Sequence, residues 1–181
     1  MIDPKPSFEV PSEDAESSGE ISFLSPSKGR ITLSELVKEI GNFIKEDSQS
    51  FYSVIIGSDS QAKKINGQPE IDFVTAVVVH RKGKGARYFW RKEREHRMYV
   101  LQEKIRQETA MSVELAGILV PELRKTVPVS TYDFEIHVDV GPIGPTREMI
   151  KEVVGWVTGM GYTVKTKPDS YGASSVADKH T

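Results

Sequence analysis

The chain has 181 residues, with 24 Lys and Arg against 26 Asp and Glu for a formal net charge of −2, and no cysteine. That length suits one domain whose core needs no covalent staples, and the missing cysteine excludes disulfides, thiolate zinc sites and a cysteine nucleophile. Four dispersed histidines, the lack of any long apolar run and a start (MIDPKPSFEV) without a signal-peptide pattern point to a soluble, cytoplasmic protein with no membrane segment.

Residues 1–20 hold six acids and one base with little that would anchor them to a core, so they read as a disordered acidic tail. The expected domain is 21–181, which carries a net charge of +3 once that tail is set aside. Thr32 or Ser34 caps a predicted helix whose apolar residues Leu33, Leu36, Val37, Ile40, Phe43 and Ile44 recur at helical spacing, ending near Asp47. Tyr52–Gly57 (YSVIIG) reads as a strand buried on both faces. Asn66-Gly67 signals a hairpin into a second strand at 71–80, and a Lys/Gly turn at 82–85 leads to a third at 86–91. A long helix follows from about 97 to 125. Then come a strand at 134–140, the loop GPIGPT, a helix at 146–159, a strand at 162–167 and a short helix at 173–180. The fold class is therefore α/β: a mixed five-stranded sheet, three antiparallel strands and then two reached by helical crossovers, flanked by helices.

In such a sheet the first and fourth strands lie parallel and adjacent, which brings Asp59 and Asp139 to one rim. Like charges at close range are unfavourable unless one is protonated or a cation intervenes. Glu114, three residues after Met111 and four before Ile118, borders the apolar stripe of the long helix, and Asp178 sits among small residues in the last helix. Glu108 is the substitute for Glu114 on the same helix, and Asp169 the substitute for Asp178. An oxygen-only donor set of this kind suits Mg²⁺ or Mn²⁺, and two such ions support phosphodiester hydrolysis.

The segments GSDSQ, ETAMSVELAG, HVDVG and SSVAD, in that order on strand, helix, strand and helix, resemble the ribonuclease H-like superfamily. With the terminal stretch KPDSYGASSVAD, the chain from about residue 25 onward is most similar to the YkuK family within it. The resemblance implies a ribonuclease H-like fold and places Asp59, Glu114, Asp139 and Asp178 at the four metal-binding, catalytic carboxylate positions. It implies a divalent-metal-dependent nuclease or phosphodiesterase acting on RNA, RNA/DNA hybrid or structured nucleic acid. The alternative is an inactive nucleic-acid-binding or scaffold module of the same fold. Proofreading exonucleases of the superfamily carry a second acid two residues after the first, where this chain has Gln61, which argues against a 3′-exonuclease.

Between Arg81 and Arg106 stand ten Lys and Arg against three Glu, interleaved with aromatics. Arg87, Arg91, Lys92, Arg94, Arg97 and Trp90 are the expected nucleic-acid contacts, cations for phosphates and a ring for bases. No Walker A, GxSxG or HExxH pattern occurs, which removes ATP-driven, serine-hydrolase and zincin chemistry.

Overall fold

The computed structural model describes residues 21–181, so the expected acidic tail lies outside the described residues. Seven strands form one mixed sheet: β1 (Ser22–Ser25), β2 (Gly29–Thr32), β3 (Tyr52–Ile65), β4 (Gln68–Arg81), β5 (Gly85–Glu95), β6 (Tyr132–His137) and β7 (Thr163–Lys165), in the order β2-β1-β5-β4-β3-β6-β7. The helices are α1 (Leu33–Lys45), α2 (Leu101–Thr126), α3 (Ile150–Gly159) and α4 (Gly172–Ala177). The expected α/β architecture is present, with two strands more than the five predicted. The additional β1–β2 hairpin joins the sheet through Leu24 opposite Trp90 of β5.

The central hairpin is set by its turn. Asn66 and Gly67 both take positive φ, 51° and 80°, the conformation a two-residue turn needs to match strand twist. It fixes a continuous antiparallel register from Ile65 opposite Gln68 to Tyr52 opposite Arg81. On its other side β3 runs parallel to β6 only from Tyr52 to Gly57. Residues 58–65 of β3 therefore project past the end of β6.

One sheet face packs on α1, α2 and α3 around Leu36, Ile40, Tyr52, Ile56, Leu115, Leu119 and Ile136. The opposite face carries a smaller cluster of Ile55, Val74, Ala76 and Val78 beneath Ala173 and Ala177 of α4. That contact depends on Gly57, since a Cβ there would lie 2.7 Å from Ala173 Cβ and 3.0 Å from the His137 carbonyl oxygen.

The start of α1 is a reciprocal capping box: Glu35 N–H donates to Thr32 Oγ1 at 3.3 Å, and Thr32 N–H donates to Glu35 Oε2 at 2.8 Å. Both bonds satisfy donors that the first helical turn leaves open. Thr32→Ala is expected to cost about 1 kcal/mol, seen as a lower urea midpoint at unchanged slope.

Candidate active site

Four carboxylates reach one rim of the sheet from four elements. Asp59 lies in the part of β3 that outruns β6 and is half-buried. Asp139 follows two residues after β6, and Asp178 caps the C-terminus of α4. The fourth is Glu108, in the first half of α2 and 5% exposed. Its Oε1 accepts a 2.6 Å hydrogen bond from the Ser60 hydroxyl. A buried hydroxyl cluster, Ser58 to Thr75 at 2.9 Å and Ser58 to Ser112 at 2.9 Å, ties α2 to β3 and β4 one turn further along the helix.

The electrostatics show that these groups feel one another. Burial pushes the Asp59 carboxyl above its ordinary range, and the charges of Asp139 and Asp178 push the same way against the Ser60 N–H and Lys104. Burial also pushes Glu108 up, to about 7, with Asp59 and Asp139 adding to the rise while Ser60 and Lys104 oppose it. Such shifts report carboxylates that repel each other where water screens poorly.

Two lysines border the group. Lys104 Nζ donates to the Ser60 carbonyl at 3.0 Å and lies 3.7 Å from Glu108 Oε1. Lys167 Nζ lies 2.7 Å from Asp139 Oδ1. The Lys167 ammonium therefore occupies this oxygen, and a divalent cation there would have to displace it.

Of the four expected carboxylates, Asp139 and Asp178 lie near enough for their charges to act on Asp59, and Glu114 faces away. It is exposed, while Glu108 is buried on the face that meets the sheet. Six residues along a helix turn the side chain by about 240°, so both cannot share the site. Asp169 lies instead in the turn after the cis Lys167-Pro168 bond, its N–H bonded to the Thr166 carbonyl, and its charge acts on His137. His137 is packed beneath Gly172, with Nε2 3.0 Å from Glu135 Oε2, and burial holds its imidazole below the usual range.

The six expected nucleic-acid contacts do not form one surface, because alternate residues of a strand point to opposite faces. Arg87 lies over the Phe43 ring and pairs with Glu46 on the α1 side, and Arg91 pairs with Glu93. Trp90 lies on the α4 side, stacked on His180 with centroids 3.7 Å apart. Lys92 and Arg94 share that face and contact Asp72, while Arg97 lies over Tyr99 beyond the strand.

As they stand, no three His, Asp or Glu side chains among the described residues are arranged to hold a metal ion. The donor chemistry nevertheless fits a hard divalent cation: oxygen ligands only, and two carboxyls raised by burial and by their neighbours' charge. No helix among the described residues is long and apolar enough to cross a membrane.

Residues 35–181 match the protein family described as Ribonuclease H-like. The chain is 34% identical over 172 residues to the uncharacterized protein YkuK of Bacillus subtilis (strain 168), an alignment covering 88% of this chain and 96% of that protein. No solved structure matches the chain.

Proposed function

The chain belongs to the ribonuclease H-like family, which points to a role with nucleic acid, and we propose that it is a divalent-metal-dependent nuclease acting on RNA, RNA/DNA hybrid or structured nucleic acid. The observation that carries this reading is the convergence of Asp59, Glu108, Asp139 and Asp178 from β3, α2, the end of β6 and α4, with Asp59 and Glu108 raised by burial and by their neighbours' charge. These four would hold Mg²⁺ or Mn²⁺, whose chemistry when bound is activation of a water and stabilisation of the developing charge in phosphodiester hydrolysis.

The chain's own residues have separable tasks. Ser60 orients Glu108 through its hydroxyl, and Lys104 fixes the Ser60 carbonyl behind it. Burial pushes the Glu108 carboxyl up to about 7 in the metal-free protein, so a cation that it helps to hold would displace its proton near neutral pH. Lys167 holds Asp139 Oδ1 at 2.7 Å and, being exposed, can swing to the charge of an approaching phosphate when a cation takes its place.

The test is cleavage of end-labelled RNA, RNA/DNA hybrid and branched DNA, with Mg²⁺, with Mn²⁺ and with chelator. Cleavage that appears with metal and vanishes with chelator is the expected result. A second reading, a module that binds nucleic acid without turnover, is favoured by the Lys167 to Asp139 ion pair. Binding to these probes with no cleavage under any metal would decide for it.

A further inference from the structure

Main-chain bonds place Lys167 beside Asp139. Beyond the ends of β6 and β7 the parallel ladder continues, with Val138 N–H donating to the Lys165 carbonyl at 3.0 Å and Lys167 N–H to the Val140 carbonyl at 2.8 Å. The two strands pair at a fixed offset that sets His137 opposite Lys165, and the same offset carried two residues further sets Asp139 opposite Lys167. The aliphatic stem of the lysine then lies along Gly141. A Cβ built on Gly141 would be 3.2 Å from Lys167 Cβ and 3.6 Å from its Cδ, so the absence of a side chain there is what lets the stem lie so close. The stem ends with Nζ 2.7 Å from Asp139 Oδ1.

The two ammonium groups beside the candidate site are held differently. Lys104 is anchored by a group other than the acid it faces, donating to the Ser60 carbonyl at 3.0 Å while it stands 3.7 Å from Glu108. Lys167 is 58% exposed, and its contact with Asp139 lacks the alignment of a hydrogen bond. Ion pairs open to water hold weakly, and an ammonium on a flexible stem can turn to another anion without moving the main chain. Asp139 also acts by its charge on Asp59 and Glu108, raising both carboxyls. The Lys167 ammonium and a divalent cation shared among these acids therefore compete for one oxygen, and Lys167 is the member of the pair of lysines free to yield.

We propose that Lys167 is a substrate-responsive counter-ion: it occupies Asp139 in the free protein, and a nucleic-acid phosphate that draws it away opens Asp139 to Mg²⁺ or Mn²⁺. The proposal rests on the metal-dependent reading above and adds to it a coupling between the two ligands. Metal and nucleic acid favour the same displaced position of Lys167, so each tightens the other by the same factor. The ion pair thereby keeps the site from loading fully until a strand is present.

The test is titration of Mn²⁺ into the full chain, followed by the electron paramagnetic resonance of the free ion, with and without a 2′-O-methyl RNA strand that gels show to stay uncut. The wild type is expected to bind Mn²⁺ about tenfold more tightly when the RNA is present, a usual size for coupling between two sites. Lys167→Met keeps the stem along Gly141 and removes the charge. It should bind Mn²⁺ several-fold more tightly than the wild type without RNA, and should lose most of the RNA-dependent gain. Lys167→Gln is the second charge-removing variant, and thermal unfolding identifies which of the two remain folded. Lys167→Arg, which keeps the charge, should keep the gain. So should Lys179→Met, which removes an exposed charge next to Asp178 and reports any general effect of charge near the site. A gain of wild-type size in the folded charge-removing variants, weaker Mn²⁺ binding in them, or no gain in the wild type overturns the exchange and leaves the nuclease reading standing. A wild type that binds no Mn²⁺ with or without RNA overturns both.

Discussion

Glu108→Gln is expected to lower metal-dependent cleavage by on the order of a hundredfold or more, the loss of several kcal/mol that follows when a carboxylate at a hydrolytic metal site becomes an amide. Glu114→Gln should leave the rate within about twofold, because Glu114 faces solvent. Side-by-side initial rates at one metal concentration make the comparison, and equal losses in the two variants would show that Glu108 is not the helix's contribution. The same substitution should stabilise the metal-free protein. Glu108 has a folded pKa of about 7 against an ordinary 4.5, so the fold favours its neutral form. The stability that goes with neutrality is complete below pH 4.5 and is lost as pH rises through 7. Above that range the charged group costs roughly 3 kcal/mol, and Gln, which stays neutral and can still accept from Ser60, removes that cost. The gain in melting temperature of Glu108→Gln over the wild type should therefore be larger at pH 8 than at pH 4.5. Lower activity together with higher stability is the pattern of a group placed for chemistry against the preference of the fold.

Gly57→Ala is expected to dislodge α4. The new methyl would meet Ala173 Cβ at 2.7 Å and a backbone carbonyl, that of His137, at 3.0 Å, and neither neighbour is the yielding end of a long side chain. Overpacking of this kind costs about 1 to 3 kcal/mol. The strand is fixed in the centre of the sheet between β4 and β6, so the short helix is the element that gives way. Asp178 caps that helix and should move with it. The expected result is faster hydrogen exchange in residues 172–178 and a loss of cleavage approaching that of the direct carboxylate variants, with the main unfolding transition lowered only modestly. Gly155→Ala is the control: its Cβ meets nothing within 4 Å in the middle of α3. There the exchange for alanine adds helix propensity and should be neutral or slightly stabilising. Unchanged exchange in α4 of Gly57→Ala would show that the contact is not what seats the helix.

Much of this architecture was legible because its signals are local. Thr32 with Glu35 announces a helix start, Asn66-Gly67 announces a hairpin, and YSVIIG announces a strand covered on both sides. The β1–β2 hairpin carried no such signal. Each strand has four residues and one buried apolar side chain, Phe23 or Ile31, so the pairing comes from docking against β5 rather than from its own pattern. The misplaced glutamate has a different cause. The buried face of α2 runs through Ile105, Glu108, Ser112, Leu115, Leu119 and Leu123, a spacing of three and four in which one position is an acid and one a hydroxyl. Measured from Ile105 and Leu115, that series selects Glu108; measured from Met111 and Ile118, the spacing favoured Glu114, and Ile118 proves to be exposed. The basic segment was likewise pooled along the chain, whereas the two-residue period of β5 sends Arg87 and Arg91 to one side and Lys92 and Arg94 to the other.

The overhang of β3 past β6 has a consequence for association. From Ser58 onward that side of the strand offers main-chain groups with no neighbouring strand among the described residues to meet them, the kind of margin on which another polypeptide can build cross-chain ladders. Lys104 ties up one of these carbonyls, that of Ser60, and Lys63 and Lys64 place charge near the tip, where an incoming strand would have to desolvate it. Variants that neutralise these lysines would leave the margin less guarded, and concentrated samples of them should form multimers through strand addition at this seam.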